Sequence, residues 1–237
     1  MQETILDVSD LNAFYGRAHI LFDVNLKVGR GEVVALMGRN GAGKSTTMKA
    51  VMGMLSNTKG NVNFMGETIS KSSPHAISKL GMGFVPEDRR VFTELTVTEN
   101  LEVGAQPERD DTPYWTPEKL FDLFPNLGEM PNRPGGQMSG GEQQMLTVSR
   151  TLMGNPYLVL LDEPSEGVAP VIVEQMANMI LALKKQGLSI LLSEQNLQFA
   201  NLVSDRVYVL ENGHICYEGT MDELANDTSV QSNYLSV

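Results

Sequence analysis

The stretch Glu32-Val33-Val34-Ala35-Leu36-Met37 runs directly into Gly38-Arg39-Asn40-Gly41-Ala42-Gly43-Lys44-Ser45, and that junction decides the fold. The first six residues form an apolar run suited to a buried strand. The next eight match Gly-x-x-x-x-Gly-Lys-Ser, the P-loop pattern, in full. Beyond them Met48, Val51, Met52 and Leu55 fall at i, i+3, i+4 and i+7, which predicts a helix with one core face. Glycines between strand and helix let backbone N–H groups close around a phosphate, and the helix N-terminus adds its positive dipole end. Lys44 is placed to reach β- and γ-phosphates and Ser45 to ligate Mg²⁺, with Arg39, Asn40, Ala42 and Thr46 completing the cradle. The plain alternative is a flexible glycine-rich turn.

A phosphate loop needs an acidic partner at the end of a second buried strand. Leu158-Val159-Leu160-Leu161-Asp162-Glu163 supplies it, with two carboxylates where four apolar residues end. Asp162 suits Mg²⁺ held through water, and Glu163 suits polarisation of an attacking water. A solvated strand end is the bland reading.

Working outward, Ile5–Val8 reads as a short strand and Ile20–Val28 as another, before a Gly29-Arg30-Gly31 turn. Met82–Val85, Leu188–Leu192 and Arg206–Leu210 read as further strands. Val171, Gln175, Met176, Ile180 and Leu183 mark a helix between two of them. Alternating strands and helices imply a mainly parallel sheet with covered faces. Asn212-Gly213 signals a hairpin, and Thr220 with Glu223 a capping box. Strand signals vanish from Arg89 to Gly136, where helical pieces at Val97–Val103 and Pro117–Phe124 appear among prolines. The expectation is an α/β chain forming one domain, 1–237. Its core would be 1–88 and 151–237, with an N-terminal antiparallel β portion and an inserted helical lobe at 89–150.

The 237 residues suffice for one large domain or two packed lobes, and 41% hydrophobic with 20% charged residues is ordinary for a globular protein. A net charge of -11 argues against a nucleic-acid partner. The single cysteine, Cys216, cannot form an internal disulfide, fits a reducing compartment, and reads as a packing residue of a strand. Met1–Asp10 lacks a signal pattern, and runs such as Tyr157–Leu161 fall far short of the ~20 residues of a membrane span. The chain is expected to be soluble, reaching a membrane only through partners. His19, His75 and His214 lie outside every motif and read as surface or packing residues. Trp115 reads as locally packed, and Arg89 and Arg90 as a solvated pair or a contact for membrane subunits.

Met138-Ser139-Gly140-Gly141-Glu142-Gln143-Gln144 precedes a helix with Met145, Val148 and Leu152 on one face. Small residues at a helix start, with Ser139 as a donor, make an anion site. The segment resembles the LSGGQ signature of ATP-binding cassette ATPases, with Met138 for Leu and Glu142 for Gln. The resemblance covers nearly the whole chain and implies an ATPase that binds ATP and Mg²⁺. Its partners would be a second ATPase subunit, paralogue or self, and two transmembrane permease subunits. In such a head-to-tail dimer Ser139, Gly140 and Gly141 face the γ-phosphate bound by the other subunit. Tyr15 matches the aromatic residue that stacks on adenine; a core tyrosine is the other reading.

Val85-Pro86-Glu87-Asp88-Arg89-Arg90-Val91-Phe92, Glu163–Pro170 and Ser193-Glu194-Gln195-Asn196 are similar to the smaller ATPase of bacterial branched-chain amino acid importers. That branch implies a periplasmic solute-binding protein and a place on the cytoplasmic face of the inner membrane. Urea, short amides and aromatic acids are alternative cargoes. A soluble cassette ATPase of a non-transport assembly is a separate reading, and an ATP-clamped regulator another. Three positions depart from the wider family: Glu87 for Gln, Gln195 for the switch His, and Ala169 for Asp. Glu87 retains an oxygen for Mg²⁺, and Gln195 retains an amide donor for the γ-phosphate.

Overall fold

The computed structural model describes residues 3–235, so the extreme ends of the expected 1–237 domain lie outside it. Two sheets carry the fold. The antiparallel one comprises β1 (Thr4–Tyr15), β2 (Ala18–Gly29), β4 (Thr58–Phe64) and β5 (Glu67–Thr68), in the order β2-β1-β4-β5. The other comprises β3 (Val33–Met37), β6 (Met82–Val85), β7 (Leu158–Asp162), β8 (Ser189–Glu194), β9 (Arg206–Glu211) and β10 (His214–Thr220). Their order is β10-β9-β3-β8-β7-β6. Every pairing in it is parallel except β9 with β10. This is the α/β P-loop architecture with an antiparallel N-terminal portion that the sequence implies.

Period-two alternation decides what each face buries. On β3, Val34 and Leu36 join Leu158, Leu160 and Leu191 in a cluster with Leu21, Val24, Leu26 and Met48. That cluster sandwiches α1 (Lys44–Val51) between the two sheets. The opposite residues Val33, Val159, Leu161, Ile190 and Leu192 face α6 (Gly140–Leu152) and α7 (Pro170–Lys185). Ala35 and Met37 pack with Ala200 of α8 (Leu197–Val203) and with Met221 and Leu224 of α9 (Met221–Asn226).

Between β6 and β7 lie α3 (Val97–Gly104), α4 (Pro117–Leu123) and α5 (Pro125–Gly128), and α2 (Pro74–Leu80) precedes β6. Thr96 and Thr116 cap α3 and α4, each accepting the N–H three residues on. Leu101, Trp115, Leu120 and Leu127 belong to the same apolar cluster as Ile190 and Leu192, so these helices share one core with the sheet.

Several local expectations need correction. β1 runs to Tyr15 rather than ending near Val8. α1 stops at Val51, before Leu55, because Gly53 turns left-handed at φ 66°. The β4–β5 hairpin has no counterpart in the sequence reading. Cys216 is exposed, because β10 is an edge strand with one open face. His19 stacks on Phe14 at 4.2 Å and lies tilted by 41° against Phe22 at 3.9 Å, and Phe22 stacks on His214 at 4.7 Å. Other expectations hold: His75 is exposed and Trp115 is buried, as expected for a surface histidine and a locally packed tryptophan. No helix among the described residues is long and apolar enough to cross a membrane.

Candidate active site

β8 lies between β3 and β7, and parallel register sets Met37 beside Glu194 and Asp162 beside Ser193. The carboxyl ends of three strands therefore open on one crevice, where ligands of open α/β sheets bind. β3 delivers the glycine loop there. Gly43, at φ 113°, is the N-cap of α1 and offers no side chain to it, which leaves the first-turn N–H groups to an anion. A Cβ on Gly38 would come within 2.2 Å of the Leu210 carbonyl oxygen, so the loop packs too closely for any side chain there. This cradle fits a phosphate chain.

Lys44 is buried at 3% exposure and folds back under the loop. Its Nζ donates to the Gly38 and Arg39 carbonyls at 2.8 and 3.2 Å and pairs with Glu163 Oε1 at 3.0 Å. Ser45 Oγ donates to Asp162 Oδ1 at 3.0 Å, and Ser193 Oγ donates to the same oxygen at 2.7 Å. Burial pushes the Asp162 carboxyl up, against the two hydroxyl bonds. Ser45 and Asp162 form an oxygen-only donor set of the kind Mg²⁺ prefers.

Glu163 leaves β7 in the left-handed region at φ 47°, its N–H donating to the Ser193 carbonyl and Oγ. Its Oε2 accepts from Gln195 Nε2 at 2.7 Å. Burial works to raise its pKa, but hydrogen bonds with Glu166, Lys44 and Gln195 and the Lys44 charge hold it below the ordinary value. Glu166 is the counterpart. Its hydrogen bond with Glu163, burial, and repulsion from Glu163 and Glu87 carry it up to about 7. Glu166 was not singled out in the sequence, where it reads as a loop residue.

The remaining sequence candidates lie around this centre. Tyr15 ends β1 with 48% exposure, an open ring face. Arg39, Asn40 and Gly41 are exposed, Thr46 is half-buried, and Ala42 N–H closes the loop onto the Arg39 carbonyl. Glu87 is exposed just past β6, within electrostatic reach of Glu166. Ser139 caps α6 in a reciprocal box with Glu142: Glu142 N–H donates to Ser139 Oγ and Ser139 N–H to Glu142 Oε2. Gly140 lies against the Arg89 guanidinium, and Gly141 against Ile172 of α7. Thr147 Oγ1 donates to the Arg89 carbonyl and Arg150 to the Arg90 carbonyl, tying the segment after β6 to α6. Ala169 is the N-cap of α7 without a side-chain bond.

Fold and crevice together define a P-loop nucleotide-binding protein. The family model for ABC transporters matches residues 21–166. The high-affinity branched-chain amino acid transport ATP-binding protein BraG of Pseudomonas aeruginosa is 40% identical over 231 residues, spanning 98% of this chain and 99% of BraG. The lipopolysaccharide export system ATP-binding protein LptB of Haemophilus influenzae is 34% identical, spanning 98% and 97%. An ATP-binding cassette of an ABC transporter, solved in its ADP conformation, superposes with a TM-score of 0.81 at 29% identity, covering 97% of each chain. The chain belongs to the ATP-binding cassette transporter family and is an ATPase.

Proposed function

We propose that this chain hydrolyses ATP as one of two head-to-tail ATPase subunits that drive a permease importing a branched-chain or other hydrophobic amino acid. The observation that carries the catalytic part is the convergence of Lys44 and Gln195 on the two oxygens of Glu163. In this reading Lys44 meets the β- and γ-phosphates over the glycine loop. Glu163 polarises the attacking water, and Gln195 orients that carboxylate and offers its amide to the γ-phosphate. Tyr15 stacks on adenine. Ser139, Gly140 and Gly141 serve the nucleotide of the facing subunit. Mg²⁺, held by Ser45 and Asp162 with Glu87 as a further oxygen donor, would neutralise phosphate charge.

A groove lined by Phe84, Phe92, Val103, Gly104, Arg150 and Pro156 supports a permease contact. Phe92 and Val103 are 47% and 54% exposed there. Docking at that groove would hold the chain to the cytoplasmic face of an inner membrane, with a periplasmic solute-binding protein on the far side. Similarity to BraG supports amino-acid cargo. Similarity to LptB favours a second reading, lipopolysaccharide export. Uptake of labelled leucine, isoleucine and valine by cells lacking the chain tests the first. The expected result is loss of uptake, restored by the wild type and not by Glu163→Gln. Unchanged uptake with altered lipopolysaccharide at the surface would favour the second.

A further inference from the structure

Glu194 ends β8 with 2% exposure, a carboxylate buried where an apolar side chain would cost nothing in desolvation. Its oxygens serve two different segments. Oε1 accepts from the Ser165 N–H at 3.1 Å, and Oε2 from the Gln195 and Asn196 N–H groups at 3.0 and 3.2 Å. Ser165 belongs to the turn that follows Glu163, closed by Glu166 N–H donating to the Glu163 carbonyl at 3.1 Å. Gln195 is the residue whose amide reaches Glu163 Oε2. Capping of α8 does not explain the acid, because Asn196 Oδ1 already accepts from Phe199 N–H. Burial holds the Glu194 carboxyl above the usual range, with the bonds from the Ser165, Asn196 and Gln195 segments working against it.

We infer that Glu194 is a positioning residue of the ATPase, clamping the turn after Glu163 to the segment carrying Gln195 so that the Glu163 carboxylate keeps its orientation. This rests on the proposed role of Glu163. Both oxygens of the carboxylate are needed, one for each segment. An amide has one acceptor, so Glu194→Gln leaves one segment facing an N–H₂ group.

The test uses the purified full chain with the subunits that co-purify. Steady-state ATP hydrolysis is measured for wild type, Glu194→Gln, Glu163→Gln and the double variant, with melting curves for each. Glu194→Gln is expected to lower kcat about 10- to 100-fold, as for loss of a charged hydrogen bond, with KM for ATP within about twofold. In the Glu163→Gln background the same change should lower the residual rate no further, because the effect passes through Glu163. Glu194→Asp keeps the charge and loses reach, so it should show the same pattern with a smaller factor, which covers failure of the amide variant to fold. An unchanged kcat in a folded variant, or equal losses in both backgrounds, overturns the inference. Full activity of Glu163→Gln alone would instead remove the assigned role of Glu163.

Discussion

Gln195 Nε2 stands 2.7 Å from Glu163 Oε2, joining residues 32 apart that follow the ends of the neighbouring strands β8 and β7. The bond has a neutral donor where the wider family is expected to carry an imidazole. Gln195→Ala should therefore slow hydrolysis by about 10- to 100-fold and leave ATP affinity unchanged. Gln195→His should add an inflection in rate near the imidazole value of about 6.5 that the wild type lacks at this position. Initial rates from pH 5.5 to 8.5 for the three proteins check both statements.

Glu163→Gln keeps an acceptor for Gln195 and loses the base. It should bind ATP with unchanged affinity and hydrolyse it about 10²–10⁴-fold more slowly. Undiminished phosphate release would assign the general base elsewhere.

Lys44→Ala should show two losses. ATP affinity falls with the loop's cation, and stability falls because Glu163, 7% exposed, loses its buried counter-ion. Breaking such a pair costs about 3–5 kcal/mol. Lys44→Ala/Glu163→Gln should recover much of the melting temperature and none of the affinity. Calorimetric titration and thermal melts separate the two effects.

The raised carboxyl of Glu166 beside Glu163 gives a signed pH dependence. Glu166 rises to about 7 from an ordinary 4.5, so the folded chain holds its proton more tightly than the unfolded one. Its stabilising contribution is full below about 4.5 and is lost as pH rises through about 7. The groups facing it are Glu163, Glu87 and Lys44. Glu163 itself is lowered and contributes in the opposite sense, so comparison with Glu166→Gln isolates the term. Melting temperature should fall more steeply from pH 5 to 8 in the wild type than in Glu166→Gln. Parallel curves would mean that the Glu166 carboxyl is not raised.

Tyr15→Ala should weaken ATP binding by about 5- to 100-fold, the range for loss of one base–aromatic stack, while Tyr15→Phe keeps it. Equal affinity in all three proteins would leave the ring without a nucleotide role.

The strands nearest the crevice were legible because burial on both faces leaves a mark that needs no context. β3 is a run of five apolar residues leading into the glycine loop, and β7 is four apolar residues ending in Asp162. The β4–β5 hairpin was not, since Lys59, Gly60 and Asn61 are exposed and only Val62 and Phe64 point inward. Leu55 continued the helical spacing, but spacing says nothing of the backbone reversal at Gly53. Cys216 shows that strand membership does not imply burial when the strand is an edge. Lys44, Ser45, Asp162 and Glu163 carry local motifs and were read directly. Glu166 and Glu194 stood within segments already of interest, yet their partners are fixed by register between β7 and β8, which no local pattern encodes.

The anchoring of residues 89 and 90 to α6 has a mechanical consequence. Both residues sit at positive φ, 63° and 51°, so this piece of chain has little slack of its own. Thr147 and Arg150 fasten it about two and three turns along the same helix whose first turn begins beside Ser139. A push on the neighbouring Phe92 therefore moves a stiff rod rather than bending a loop, and the far end of that rod is the serine. The surface ring of Phe92 and the exposed start of the helix at Ser139 form the two arms of one lever, with its pivot in the apolar packing of Met145, Val148 and Leu152.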